Sequence, residues 1–325
     1  MVAKFWDKLG DGLAEQWSAQ RLGPALAFWG GGLLAWSWRY GWQPLIHWLV
    51  ALDSLAAYVA LIVGALLLLT ASSAAITWLQ LPVLRLAEGY WPWRFRQWRF
   101  DLARHVKERL RLKEERWQAL ADKPEAQRSA EEQDEYARLD AELSGYPVDP
   151  RRLMPTRLGN LLRAAEEYPR VRYGLPISVS WPRLWLILSE ETQSTLAEAR
   201  EGLNAATRLL IWGVLFVFWV VWAWWVIPAA AAVILAAYWR MLSAAGVYGD
   251  LLRAAFDLYR FSLYEQLRWP LPPGTDADLD RSVGRESEAH PAFDLVPKLG
   301  LGTPMRCPSR AWAYGWSPSA AWEPE

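Results

Sequence analysis

The stretch from Arg208 to Tyr248 constrains this chain more than any other. No charged side chain lies between Arg208 and Arg240, and the run LLIWGVLFVFWVVWAWWVIPAAAAVILAAYW is interrupted only by Pro228. At about 1.5 Å per residue it is far longer than the roughly 20 residues that cross a bilayer. Two arrangements satisfy it: one long buried helix, or a tight hairpin of two spans, 209–226 and 229–247, turning at Pro228. The hairpin is the better match. Its first half is bulky and Trp-rich and its second is Ala-rich, so Ala229, Ala232 and Ala236 would offer a close-packing face. Trp222, Trp224 and Trp225 cluster beside the turn, where an interfacial aromatic belt belongs.

Composition supports a membrane setting. The chain of 325 residues holds 24 tryptophans, a residue whose apolar ring and single N–H suit the membrane–water boundary better than a soluble core. Its 35 basic and 35 acidic side chains balance, which argues against a nucleic-acid partner. With Cys307 as the only cysteine, neither an intrachain disulfide nor a cysteine-cluster metal site can form.

A first apolar segment runs from Leu22 to about Trp42 through Gly30, Gly31 and Gly32, with Arg39 near its end. A second, from Ser54 to Leu84, carries no charge, and Pro82 would end or kink it. Residues 22–84 are therefore expected to hold spans 1 and 2, and 208–248 spans 3 and 4. Before them, residues 1–21 carry charges of both signs, unlike a secretory signal, and place Trp6, Gly10, Leu13 and Trp17 at the spacing of an interfacial amphipathic helix.

Between the two pairs of spans lies an insertion, 85–207, whose opening is strongly basic from Arg85 through Arg116. The positive-inside rule puts that end in the cytoplasm, and pairs of spans then place both termini there. The expected fold class is all-α: a four-span (2+2) helical membrane protein with a helical cytoplasmic insertion. Within it, Trp98, Leu102, Val106, Leu110, Trp117 and Leu120 mark one helix and Tyr136, Leu139 and Leu143 another, an antiparallel hairpin over 92–144. A compact part, 147–207, holds a helix capped by Thr156 and ended by Pro169, then a turn region with a short strand at Ile177–Ser180. Ser189 with Glu190 and Glu191 starts a helix expected to run unbroken into span 3. Residues 249–269 form an amphipathic helix, and 270–325 a Pro/Gly-rich tail.

Catalytic patterns are absent from the sequence. His47, His105 and His290 have no metal-ligand spacing, and no phosphate loop or nucleophile motif occurs, so neither an enzyme nor a cofactor is expected. The charges within the spans are the candidates instead. Arg240 either snorkels to headgroups or faces a bundle interior or aqueous path, and Arg39 has the same ambiguity nearer the interface. Arg85, Arg94, Arg96 and Arg99 are candidates for contact with anionic lipid headgroups.

The segments MPTRLGNLLRAAEEYPRVRYGL, Trp181-Pro182-Arg183-Leu184 and YGDLLRAAFDLYRF resemble a family of uncharacterised bacterial multi-span membrane proteins, over about residues 150–270. That resemblance implies the bacterial cytoplasmic membrane and this architecture, and brings no catalytic residues. On physical grounds Gly159 and Gly174 suit close packing and a turn, and Asn160 with Arg172 or Arg183 suits buried polar contacts. Two functions fit: an oligomeric pore or channel-like assembly gated or assembled by its cytoplasmic domain, or a non-conducting anchor recruiting a cytosolic protein partner. Membrane lipids and further copies of the chain are the expected partners in the first.

Overall fold

The computed structural model describes residues 19–268, so most of the expected interfacial helix over 1–21 and the tail over 270–325 lie outside the described residues. The described residues are helical throughout their regular structure: α1 Ala19–Tyr40, α2 Gln43–Val50, α3 Leu55–Glu88, α4 Arg96–Ala121, α5 Ala130–Leu143, α6 Arg157–Tyr173, α7 Ile177–Ile187, α8 Glu190–Phe216 and α9 Val226–Leu267. Three of these helices, α3, α8 and α9, are long and apolar enough to cross a membrane. That is the composition of a membrane protein. Helix α1 is not among the three: its glycines, tryptophans and Arg39 dilute its leucines.

The described chain divides into two compact units, 19–86 with 200–244 and 87–199 with 245–268. In the first, Ala25 of α1, Ile76 of α3 and Ile211 and Trp212 of α8 form one buried cluster, flanked by Phe28, Leu69, Val83 and Leu215. A second cluster joins Ala35 to Ala223 and Val226 beneath Phe216, Trp219, Trp222 and Trp225. These pairings fix the helix directions. As α1 advances from Ala25 to Ala35, α8 and its extension advance from Ile211 to Ala223, so the two run parallel. Helix α3 meets α8 at Ile76 with Ile211 and at Gln80 with Arg208, which is antiparallel. Helix α9 runs back along α8, with Val233 and Ile234 against Gly213. The glycine run of α1 has a specific use: a Cβ on Gly31 would meet the Phe216 ring at 2.4 Å and one on Gly32 the Trp219 ring at 2.6 Å. Bare backbone is the slot into which two aromatic rings dock.

The hairpin turn lies upstream of its expected position. Helix α8 tightens to a 3₁₀ turn at Val217–Val221, the chain reverses at residues 222–225, and Pro228 falls inside the first turn of α9. Proline is tolerated there because the first N–H groups of a helix have no intrahelical acceptor. Starting at Val226 also sets the phase of α9. Ala230, Ala237 and Met241 face inward, whereas Ala232 and Ala236, expected on the packing face, are exposed. Of the two outcomes expected at Pro82, an end is excluded: α3 continues to Glu88 and takes Arg85 into its last turn.

Just inside the second unit Gly89, at φ +100°, turns the chain out of α3. Helices α4 and α5 form the expected antiparallel hairpin, with Arg116 bridging Glu135 at 2.8 Å, Lys123 bridging Glu132 at 2.6 Å, and Trp117 stacked on Tyr136 at 5.8 Å. Ser129 and Glu132 close a reciprocal capping box at the start of α5. Thr156 accepts the Gly159 amide as the cap of α6. That helix passes through Pro169, expected to end it, and stops at Gly174, whose φ of +71° lets the Gly174 and Leu175 amides reach the Arg170 and Pro169 carbonyls. The strand expected at Ile177–Ser180 is instead the first turn of α7. Val179 and Ser180 donate to the Pro176 carbonyl, and β-branched residues joined a helix once a buried face was available. Helix α8 is continuous from Glu190 to Phe216, and α9 continues from the apolar hairpin to Leu267 instead of restarting as a separate amphipathic helix. The end of α9 is the post around which this unit packs. A Cβ on Gly249 would lie 3.1 Å from that of Ala165 in α6, Phe256 meets Trp181 of α7, and the Tyr259 hydroxyl lies 3.2 Å from that of Thr192 in α8.

Candidate functional site

The residue that stands out in the first unit is one the sequence used only as a boundary marker. Arg208 is 8 % exposed, and its guanidinium is held at both ends. Nη2 donates to Glu201 Oε1 at 2.6 Å and Nη1 to Gln80 Oε1 at 3.0 Å. Glu201 and Arg208 are two helical turns apart on α8, so they share a face, and Gln80 comes from the antiparallel α3. Beside them Thr207 is fully buried and turns its hydroxyl back onto the Leu203 carbonyl. A buried arginine persists because a carboxylate neutralises it and an amide oxygen accepts from its other amino nitrogen. The signal was present as a Glu and an Arg seven apart at the mouth of an apolar run, with a lone Gln in the preceding one.

Arg240 is exposed on α9, and among the described residues it has no hydrogen-bonding or ion-pair partner. Arg208 precedes the turn, and Arg240 follows it, by about fourteen residues, so each lies on the order of 20 Å from that turn. The two arginines therefore share a level in the unit, one neutralised inside and one bare outside. Arg39 belongs to the opposite end, in the last turn of α1, exposed with its guanidinium 5.8 Å from the Tyr40 ring centre.

The remaining predicted residues disperse. Arg85 is half-buried in the last turn of α3. Arg94 and Arg99 lie 5.8 Å and 5.9 Å from the ring centres of Trp93 and Phe100, and Arg96 opens α4. Asn160 is buried at 1 % exposure and ties the entry to α6: its Oδ1 accepts the Met154 amide at 2.8 Å, and its Nδ2 donates to the carbonyls of Met154 and Thr156. Arg172 is exposed, and Arg183 donates to the Val179 carbonyl of its own helix at 2.6 Å, so these arginines and Asn160 make separate contacts. Gly159 has the tighter constraint, since a Cβ there would stand 2.0 Å from the Glu88 carbonyl oxygen. The backbone end of α3 rests on α6 at that point.

Two further polar clusters belong to the second unit. Asp257 of α9 accepts the hydroxyls of Tyr168 at 3.0 Å and Tyr173 at 2.5 Å, and the Arg260 guanidinium lies 4.8 Å from the Tyr173 ring centre. Burial, and after it the hydrogen bond to Asp257, push the Tyr173 hydroxyl well above the ordinary tyrosine range; burial also raises that of Tyr168. Glu167, 2 % exposed, is paired through one oxygen with Arg170 at 2.5 Å and Arg152 at 3.5 Å. A cleft of about 250 Å³ between α4, α5 and the start of α6 is bordered by Arg109, Arg157 and the Lys113–Glu142 ion pair. Among the described residues no three His, Cys, Asp or Glu side chains are grouped to hold a metal. Comparison with protein-family models, curated proteins and solved structures finds no match.

Proposed function

We propose that the chain is a non-enzymatic, four-span protein of the bacterial cytoplasmic membrane that works as an oligomeric, channel-like assembly, with the 87–199 region in the cytoplasm assembling or gating it. The observation that carries this reading is Arg240, an unshielded charge on a membrane-length helix, flanked by exposed Leu235 and Trp239 at the level of a neutralised Arg208. Phe28, Trp212, Phe216 and Trp219 occupy the interior of one copy, so a conduit lies between copies, where Arg240 is available to line it. Alternating helix directions support α1 as the fourth span, because residues 19, 86, 200 and 244 then share one end of the first unit. Only 6 % of the most apolar window of α3 is buried within one copy, which leaves surface for lipid and for neighbours.

The competing reading is a non-conducting anchor that recruits a cytosolic protein, favoured by the neutralisation of Arg208, which leaves few polar groups to line a path. Reconstituted protein in planar bilayers separates the two. A channel gives a current whose selectivity changes in Arg240→Gln and persists in Arg240→Lys, in particles holding several copies. Silence across voltage and tension from a monomeric particle leaves the anchor.

A further inference from the structure

Helix α4 carries one apolar stripe, and the described residues cover only half of it. Toward its C-terminal end Leu120 is fully buried, Trp117 stacks on Tyr136, and Val106 and Leu110 are half-buried beside the much shorter α5. The first two turns continue the stripe, left open by the described residues: Trp98 is 68 % exposed, and Leu102 is exposed as well. The 3₁₀ turn just before the helix adds Trp93, 81 % exposed, and Phe95, whose ring lies 6.1 Å from that of Trp98. This bare half is the half tethered to α3. Trp93 is five residues beyond Glu88, so even a fully extended chain keeps it within about 18 Å of the end of that helix.

Charge identifies what covers the stripe. Arg94, Arg96, Arg99 and Arg104 interleave with the aromatics, and Asp101 is the only acid between Glu88 and Glu108. Arg94 and Arg99 are drawn toward the rings of Trp93 and Phe100, which orders cationic groups along the apolar edge. Tryptophan and phenylalanine rings among arginines, directly following a membrane-length helix, match the chemistry of a headgroup layer: acyl-chain ends for the rings, phosphates for the guanidiniums.

We propose that residues 91–104 lie in the membrane interface and bind anionic phospholipid, with Trp93 and Trp98 as the inserted anchors and Arg94 and Arg99 as the headgroup ligands. The bilayer thus covers the half of the α4 stripe that α5 is too short to reach. This site is independent of whether the protein conducts.

The test uses full-length protein carrying Cys307→Ser, in nanodiscs of phosphatidylcholine and phosphatidylglycerol, with a nitroxide at Trp98→Cys or, in a second variant, Trp93→Cys. A nitroxide at Leu112→Cys, an exposed position further along the same helix, is the aqueous control. Oxygen accessibility relative to a water-soluble nickel complex is expected to be several-fold higher at 98 and 93 than at 112. Enrichment of headgroup-labelled phosphatidylglycerol over phosphatidylcholine near position 98 is expected to fall, by up to roughly fivefold per arginine, in the Arg94→Gln, Arg99→Gln double variant. Water accessibility at 98 and 93 equal to that at 112 overturns the proposal. Spin–spin broadening that disappears on dilution with unlabelled protein overturns it in favour of a second copy, and unchanged lipid enrichment in the double variant overturns the assignment of the headgroup ligands.

Discussion

The Glu201–Arg208–Gln80 cluster predicts an asymmetry that a surface salt bridge would not produce. The Arg208 side chain is 9 % exposed and the Glu201 side chain 45 %. Glu201→Ala therefore strands a guanidinium in the bundle with Gln80 as its remaining partner, whereas Arg208→Met leaves a carboxylate that water already reaches. Breaking a fully buried pair costs about 3–5 kcal/mol. The half-exposed Glu201 lets water repair part of that loss, which brings the expected cost of Glu201→Ala to about 1–3 kcal/mol. Arg208→Met puts an apolar side chain into an apolar surrounding and is expected to stay within about 1 kcal/mol of wild type. The double variant is expected to match Arg208→Met alone, because once the cation is gone Glu201 has nothing buried to neutralise. Thermal unfolding in a fixed detergent, read as the loss of tryptophan fluorescence anisotropy, ranks the three variants. If Arg208→Met unfolds as early as Glu201→Ala, or if the two losses add in the double variant, the pair is not a buried charge held by its partner.

Gly159→Ala is expected to destabilise the second unit by about 1–2 kcal/mol despite the better helix propensity of alanine, because its Cβ meets backbone at Glu88 and no side-chain rotation relieves the overlap; proteolysis-monitored unfolding measures it. Leu158→Asp places an unpaired carboxylate at a fully buried position and should cost on the order of 4 kcal/mol, so limited proteolysis should cut the second unit rapidly while the protein still requires detergent for extraction. The tyrosine pair predicts a loss of stability in alkali. Tyr173 keeps its proton in the folded state above the pH at which an unfolded tyrosine loses it, so its contribution is complete below about pH 10 and declines as pH rises toward the raised folded value. Stability of Tyr173→Phe, followed from pH 9 to 11 by denaturant titration, should therefore fall less steeply than that of wild type, and equal slopes would remove the role assigned to the Asp257 contact.

The sequence by itself determined the features that depend on composition and local periodicity. Helical class, the antiparallel hairpin over 92–144, the Thr156 cap and the unbroken α8 all follow from patterns within about a dozen residues. Proline positions misled where a helix end was inferred from one residue. Pro82 and Pro169 sit inside helices whose packing outweighs a lost hydrogen bond, and Pro228 lies just after a turn instead of at it. Tertiary structure alone decided which face is which. The alanines of α9 that face inward follow from Val226 packing on Ala35, and the use of Gly31 and Gly32 follows from two rings that arrive from Phe216 and Trp219. The charges divide in the same way. Arg240 could be picked out by its depth in an apolar run, but Arg208 became a buried, neutralised cation only when an antiparallel helix brought Gln80 to it from 128 residues away. A hydrogen bond between distant residues leaves no periodic trace in either segment, and the free energy of burying a charge depends on the partner that arrives rather than on its neighbours in sequence.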